Sequence, residues 1–170
     1  MTDYYRLLGL EARLCLEPDD LERRFYQLSR SLHPDRFARA SLQERRAAEN
    51  TAALLNDAYR TLQDPLTRAE YLLRQEQFTG KSNSPALLAE VFELNQELEE
   101  LKLEGDPDRL RAAAARFQSL VKQVDAELAV RFQEYDQTRS RATLQAIREM
   151  LDRRKYLANL IKELAAAGFA

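Results

Sequence analysis

Apolar residues recur at spacings of three and four along almost the whole chain, which is the period of an amphipathic α-helix. One apolar stripe runs from Leu21 to Leu32, and a matching stripe runs from Ala48 to Leu62. Two such helices can pack antiparallel, so they are predicted to form a hairpin across the loop that carries residues 33–40. β-Branched residues are few and no alternating run predicts a strand. The pattern therefore predicts an all-α fold.

Prolines and capping residues mark where the predicted helices begin. A capping residue followed by proline at the first helical position, where the missing N–H costs nothing, starts helices at Pro65, Pro85 and Pro107. Another helix is predicted to begin at Pro18. The segment SLQE, which starts at Ser41, has the spacing of a capping box. These signals predict helices joined by short loops.

A polar, glycine-containing stretch from Phe78 to Ser84 is the predicted boundary between two domains. Residues 1–76 are predicted to form the first domain, residues 77–84 a linker, and residues 85–170 the second domain. The second domain contains three long segments with alternating apolar spacings of three and four, joined by short connections. We therefore predict a C-terminal three-helix bundle after an N-terminal helical hairpin.

The composition excludes several classes of function. Cys15 is the single cysteine and His33 the single histidine, which excludes disulfide frameworks, CxxC chemistry and structural zinc. These counts predict no metal site, and an enzyme built on imidazole chemistry would have to use His33. The chain has no apolar run of about 18 residues and no signal-peptide pattern, so we expect a cytoplasmic protein that does not contact a membrane.

Charge is unevenly distributed along a chain whose formal net charge is −2. The segment from Leu21 to Arg46 carries seven arginines against three carboxylates, a net charge of +4. The segment from Ala86 to Asp106 carries seven carboxylates against one lysine, a net charge of −6. Two regions of opposite sign predict two different partners. Neither partner is predicted to be a nucleic acid, because the arginines are not accompanied by a recognition motif or by aromatic residues interspersed among them.

The tripeptide His33-Pro34-Asp35 directly follows the basic helix. Proline disfavours helical geometry at the residue before it and fixes its own φ, so the imidazole and the carboxylate are predicted to lie in a loop. No nucleophile or second base lies nearby in the sequence, which favours recognition over catalysis. On its own, a proline-terminated helix with polar loop residues explains the tripeptide equally well.

Helical angles place apolar residues outside the predicted seam of the helix that follows the linker. At 100° per residue the seam lies within about 40° of Leu87, whereas Leu88 and Phe92 fall at roughly 100° and 140°. Apolar side chains on a face that should be solvated, rimmed by carboxylates, are a candidate protein-binding patch. Packing of this face on the N-terminal domain or on another helix is the alternative.

The last helix also carries an aromatic residue outside its predicted seam. The seam is predicted to comprise Leu144, Ile147, Leu151, Ala158 and Ile161. Tyr156 lies about 180° from Ile147 and is therefore predicted to point away from the seam. An exposed tyrosine is often only part of the surface.

The order of these features resembles a known family. The segment DYYRLLGL, the basic helix, the HPD tripeptide and the segment NDAYRTLQDP are together similar to a J-domain. The segments HPDRFA and LTRAEYLL, followed by an acidic helical bundle, resemble the HscB-type J-domain co-chaperones of iron–sulfur cluster assembly. The resemblance covers essentially the whole chain.

J-domains use the HPD loop and the basic helix before it to engage an ATP-bound chaperone of the DnaK class and to stimulate its ATP hydrolysis. The resemblance therefore implies that His33, Pro34 and Asp35 form a chaperone-binding site. Four arginines are implied as its electrostatic support: Arg23, Arg24, Arg30 and Arg36. Gln27 stands where many J-domains carry a basic residue, which favours a dedicated partner such as HscA.

The resemblance also implies a surface for an IscU-type scaffold protein, which carries the nascent cluster. The matching positions are Leu88, Ala89, Phe92, Glu93, Gln96, Glu100 and Tyr156. Ala89 is smaller than the residue often found there, and Gln96 replaces a carboxylate, so both are expected to retune the contact.

The predicted function is that of a co-chaperone, not an enzyme, which binds an IscU-type scaffold and delivers it to an HscA/DnaK-class ATPase chaperone. Because catalysis then belongs to the chaperone, we predict no catalytic residue and no cofactor in this chain. Two alternatives belong to other classes. A general J-domain holdase would suppress aggregation of unrelated unfolded proteins, and a helical adaptor without chaperone coupling would keep its activity after His33→Gln.

Overall fold

All regular structure within the residues that the computed structural model describes, 3–78 and 84–166, is helical. The helices are α1 Tyr4–Leu7, α2 Pro18–Ser31, α3 Leu42–Gln63, α4 Pro65–Gln75, α5 Pro85–Glu104, α6 Pro107–Thr138 and α7 Arg141–Ala166, with one 3₁₀ helix over Pro34–Phe37. The prediction of an all-α fold is confirmed, and so are the helix starts at Pro18, Pro65, Pro85 and Pro107.

The side chains that precede these helices explain why they begin where they do. Asp64 accepts hydrogen bonds from the N–H groups of the first turn of α4, and Asp106 does the same for α6. Ser41 and Glu44 form both hydrogen bonds of a capping box at the start of α3. At the other end of α5, Gly105 adopts a left-handed conformation with φ 65°, which ends the helix.

The chain divides into two compact units, with the division between Gln77 and Phe78. The predicted linker over residues 77–84 falls mainly on residues 79–83, which lie outside the described part of the chain. Its extent stays a prediction.

In the first unit, α2 and α3 form the predicted antiparallel hairpin. The rings of Phe25 and Tyr59 stack across it, with their centroids 4.3 Å apart. Leu21 and Leu55 of the same two helices are buried. Each large apolar side chain that is fully buried contributes about 1.5–3 kcal/mol to folding. The hairpin therefore has a core that fixes the loop between its two helices.

The segment LTRAEYLL supplies the buried residues of α4 and holds the N-terminal residues in place. Arg68 is buried and donates a hydrogen bond to the carbonyl oxygen of Leu14 at 2.9 Å. Tyr71 is buried, stacks on the ring of Tyr4, and accepts a hydrogen bond from the Tyr4 N–H at 2.9 Å. The segment therefore stabilises the first unit.

The second unit is the predicted three-helix bundle. Helices α6 and α7 pack against each other, and α5 contacts both. The buried side chains include Leu94, Leu98, Leu101, Leu110, Phe117, Val124, Leu128, Phe132, Leu144, Ile147 and Leu151.

The predicted seam of α7 is correct in its first half and wrong in its second. Leu144, Ile147 and Leu151 are buried as predicted, but Ala158 and Ile161 are only half-buried. The buried residues of the second half are Leu157, Leu160 and Leu164. A single stripe was predicted, whereas α7 packs on both α6 and α5 and therefore needs a wider apolar sector.

Candidate functional site

The HPD tripeptide lies in the loop between α2 and α3, at the start of the 3₁₀ helix. His33 has the extended backbone that a following proline requires, with φ −59° and ψ 134°. The Asp35 N–H donates a hydrogen bond to Nδ1 of His33 at 3.3 Å, and Oδ2 of Asp35 lies 3.4 Å from the same nitrogen. The side chain of Pro34 lies outside the described part of the structure. The loop thus folds on itself and presents an imidazole beside a carboxylate.

Both polar side chains of the tripeptide face solvent. The side chain of His33 is 60% exposed and that of Asp35 is 90% exposed. Neither is engaged by the core of the hairpin, so both are available to a partner. The capping box of Ser41 and Glu44 follows four residues after the 3₁₀ helix. Local hydrogen bonds therefore define the loop on its C-terminal side.

The four arginines near this loop differ in their surroundings. Arg24 is half-buried and donates hydrogen bonds to Asp20 and to the carbonyl oxygen of Gly9, so its charge is largely used within the unit. Arg23 is exposed and pairs with the same Asp20. Arg30 and Arg36 are exposed, and within residues 3–78 no ion pair includes either of them.

Tyr26 is an exposed residue on α2 that sequence reasoning missed. By helical position it shares a face with Arg23 and Arg30, because it lies three residues after the first and four before the second. Its ring is tilted against Phe25, whose own ring stacks on α3. A tyrosine next to an inward-facing phenylalanine, and outside the apolar stripe, was the available signal.

The apolar patch predicted on the helix after the linker is exposed in the structure. Leu88 is 60% exposed and Phe92 is 68% exposed, so neither is covered by α6 or α7. The other four predicted residues of α5, Ala89, Glu93, Gln96 and Glu100, are exposed as well. We call these six residues the α5 patch. The structure therefore brings six of the seven predicted scaffold-binding residues together on one face of one helix.

The negative charge of α5 is concentrated at this patch. Four other glutamates of α5 have cationic partners, in the ion pairs Glu90–Arg153, Glu97–Arg116, Glu99–Lys102 and Glu104–Arg109. Among the described residues no cation pairs with Glu93 or Glu100, and Glu100 only accepts a hydrogen bond from Gln96 at 3.4 Å. Two unneutralised carboxylates thus lie beside two exposed apolar side chains.

Tyr156, predicted to lie away from the seam of α7, contacts α5. Its side chain is half-buried, and its hydroxyl donates a hydrogen bond to the carbonyl oxygen of Val91 in α5 at 3.0 Å. Burial raises the pKa of the Tyr156 phenol above its ordinary value of 10.0, which already keeps the hydroxyl protonated at neutral pH. Tyr156 thus lies where α7 contacts α5, and its hydrogen-bond partner Val91 directly precedes Phe92 in α5.

Within residues 3–78 and 84–166, no group of three or more histidine, cysteine, aspartate or glutamate side chains is arranged to hold a metal ion. No helix in these ranges has the length and apolar character needed to cross a membrane.

The hairpin with its HPD loop and basic α2 defines a J-domain protein, and comparison with known families agrees. Residues 3–71 match the family model of the DnaJ domain. Residues 83–165 match the family model described as the HSCB C-terminal oligomerisation domain. The two matches follow each other along the chain and correspond to its two units.

Solved structures identify the family more closely. The chain is similar to chaperone HscB from Vibrio cholerae, with 32% sequence identity over 98% of each chain and a TM-score of 0.69. It is also similar to human co-chaperone HscB, with 26% identity over 99% of this chain and 83% of that chain and a TM-score of 0.70. The chain belongs to the HscB family of J-domain co-chaperones. This is a family of iron–sulfur assembly co-chaperones and not of enzymes, and its J-domain implies an ATPase chaperone of the DnaK class as partner.

Proposed function

We propose that this chain binds an IscU-type iron–sulfur scaffold through the α5 patch and delivers it to an HscA/DnaK-class chaperone, whose ATP hydrolysis it stimulates through the HPD loop. The observation that carries the proposal is the exposure of two unlike surfaces on separate units. One is polar and basic around His33 and Asp35, and the other is apolar and acidic around Leu88 and Phe92.

On the chaperone side, His33, Pro34 and Asp35 are the proposed contact residues. Arg23, Arg30 and Arg36 are exposed and add positive charge, which steers an acidic partner toward the loop. Arg24 contributes less directly, because its guanidinium holds Asp20 and Gly9 in place. ATP hydrolysis itself takes place in the chaperone.

On the scaffold side, Leu88 and Phe92 are the proposed anchors, because large exposed apolar side chains lose most contact with water when a partner covers them. Glu93 and Glu100 lie on the rim and favour a partner with basic residues around an apolar site. Ala89 and Gln96 complete the α5 patch, and Tyr156 supports it from α7.

Joining the two surfaces in one chain explains how such a protein would act. A scaffold held by the second unit stays near the chaperone that the first unit engages, which raises its effective concentration at the chaperone. The client would then be present when ATP hydrolysis closes the substrate site of the chaperone. No additional contact is needed for this effect.

A general holdase for unfolded proteins is less well supported. A holdase needs a broad apolar surface, whereas the large exposed apolar residues of the described second unit are Leu88, Phe92, Leu103 and Val130. Only the first two lie one helical turn apart. An assay of the aggregation of an unrelated unfolded protein would show suppression if the holdase function were correct.

The proposal is tested by measuring steady-state ATP hydrolysis of an HscA-like or DnaK-like chaperone with this protein added. Wild type should accelerate hydrolysis, and His33→Gln should not. In parallel, calorimetry should detect binding of an IscU-type scaffold to wild type and to His33→Gln, but not to Phe92→Ser. Equal stimulation by wild type and His33→Gln would contradict the role of the HPD loop, and no stimulation by either would leave only a helical adaptor without chaperone coupling.

A further inference from the structure

The first half of α5, which carries Leu88 and Phe92, is not held by the core of the bundle. The buried residues of α5 begin at Leu94 and continue with Leu98 and Leu101, so none lies among residues 85–93. In the first half, Leu87 and Val91 face the bundle but are only half-buried. Burial of apolar side chains therefore holds α5 to the bundle mainly on the C-terminal side of Phe92.

An open surface pocket lies between the first half of α5 and the other two helices. Its volume is about 260 Å³, and its lining includes Leu87 and Glu90 of α5 together with Glu127 of α6 and Met150 and Arg153 of α7. Side chains that line such a pocket lack packing contacts on the side that faces it. Apolar packing alone therefore does not fix this part of α5.

Polar contacts from α7 supply the attachment instead. Arg153 donates two hydrogen bonds to Glu90, with Nε to Oε2 at 2.8 Å and Nη2 to Oε1 at 2.7 Å. This bidentate geometry restricts orientation as well as distance. One residue further along α5, the Val91 carbonyl oxygen accepts the hydrogen bond from the Tyr156 hydroxyl. Arg153 and Tyr156 are three residues apart and so lie on neighbouring positions of one helix.

We propose that Arg153 and Tyr156 are positioning residues, which clamp the first half of α5 so that Leu88 and Phe92 are presented in the geometry that the partner binds. The proposal rests on the proposed function of the α5 patch. For this effect Arg153 does not need to touch the partner. Without the clamp, the first half of α5 adopts the binding geometry only part of the time, and the apparent dissociation constant rises in inverse proportion to that fraction.

The bundle offers a matched control for a test of this clamp. Arg116 of α6 also pairs with a glutamate of α5, but that residue is Glu97 in the half of the helix anchored by buried leucines. Arg153→Gln should weaken binding of a purified IscU-type scaffold about tenfold, which corresponds to a competent fraction of about one tenth. Arg116→Gln should leave the dissociation constant unchanged.

Hydrogen–deuterium exchange of the free protein provides a readout that does not depend on the scaffold. Amides of residues 89–93 should exchange faster in Arg153→Gln than in wild type or Arg116→Gln, while the buried part of the bundle should be unchanged. Tyr156→Phe, which removes only the hydroxyl, should show the same local change to a smaller extent.

A reciprocal exchange of charges separates positioning from direct contact. The double variant Glu90→Arg with Arg153→Glu keeps an ion pair across the same two helices, so it should restore both scaffold affinity and slow exchange. If Arg153 touched the scaffold directly, the double variant would stay as weak as Arg153→Gln, and the clamp would be overturned.

The clamp and the proposed function can fail separately. Unchanged exchange at residues 89–93 together with unchanged scaffold affinity in Arg153→Gln would overturn the clamp and leave the proposed function standing. If wild type did not bind the scaffold at all, the function of the α5 patch would fail, and because the clamp is proposed for that function, it would fail as a positioning device even with faster exchange.

Discussion

Two phenylalanines of the second unit show how position on a helix decides what a residue does. Phe117 of α6 is completely buried, whereas Phe92 of α5 is 68% exposed. The same ring therefore stabilises the bundle in one place and is available to a partner in the other. The difference can be tested by one substitution at both positions.

Phe117→Ala should lower the free energy of unfolding by about 3–5 kcal/mol, because it removes buried apolar contacts and leaves a cavity. Phe92→Ala should change this free energy by no more than about 0.5 kcal/mol but should abolish scaffold binding. Urea denaturation and calorimetry measure the two effects. A large loss of stability in Phe92→Ala would show that this residue is structural.

At the residue scale, helical angles predicted the exposure of Leu88 and Phe92, because α5 follows a single regular stripe. The same method did not predict the contact of Tyr156, whose hydroxyl reaches Val91 on another helix. The hydrogen bond from Arg24 to the Gly9 carbonyl oxygen was also not predictable, since Gly9 is fifteen residues away in the chain. Angles describe one helix and carry no information on its neighbours.

At the element scale, α5 is the part of the second unit where charge and apolar surface are arranged together. Ion pairs with the neighbouring helices, or within α5, neutralise the glutamates outside the patch. Glu93 and Glu100 stay unpaired among the described residues, beside the exposed apolar side chains. The helix thus has one acidic face for association and other faces for packing.

The double variant Glu93→Gln with Glu100→Gln should slow association with the scaffold about fivefold at low salt, because it removes the unpaired charges that steer the partner. The rate should also depend less on salt. Glu99→Gln is the matched control, since Glu99 is exposed on the same helix but paired with Lys102. Stopped-flow measurement over a range of salt concentrations tests this. An effect of Glu99→Gln as large as that of the double variant would contradict it.

The corner between α6 and α7 contains a carboxylate that makes stability depend on pH. Hydrogen bonds from Arg131, and then from Thr143 of α7, lower the pKa of Glu134 from its ordinary value of 4.5. A lowered folded pKa stabilises the folded state above pH 4.5, and this stabilisation is lost as the pH falls through the folded pKa.

Glu134→Gln should therefore lower the melting temperature at neutral pH, and its difference from wild type should shrink as the pH falls below 4.5 and through the folded pKa. Thermal melts recorded across this range measure the difference. A difference that stays constant on acidification would show that the Glu134 carboxylate is not the source of the effect.

Helix starts were predictable because caps are local. Asp64 and Asp106 bond to N–H groups only two and three residues ahead, so the signal is complete within a few letters of sequence. The second half of the α7 seam was not predictable in this way. Leu157, Leu160 and Leu164 are buried because α7 meets two helices, and this depends on tertiary packing.

At the scale of the whole molecule, the chain combines two units with different surfaces. The order of the segments DYYRLLGL, HPDRFA and LTRAEYLL identified the family from sequence, and the comparisons confirm it. The structure explains what the segment LTRAEYLL does, since its residues Arg68 and Tyr71 are buried inside the first unit. The extent of the predicted linker falls mainly on residues outside the described part of the chain.

The central claim is that one chain must hold the scaffold and engage the chaperone at the same time. His33→Gln disables only the first unit, and Phe92→Ser disables only the α5 patch. A mixture of the two variants therefore contains both working surfaces, but on different molecules. If linkage is the mechanism, the mixture lacks the gain in effective concentration.

The most direct measurement is steady-state ATP hydrolysis by the chaperone in the presence of an IscU-type scaffold. Wild type should stimulate hydrolysis synergistically with the scaffold, whereas each variant alone and the equimolar mixture should not. Wild-type synergy from the mixture would contradict the account, because it would show that the two surfaces act without being joined.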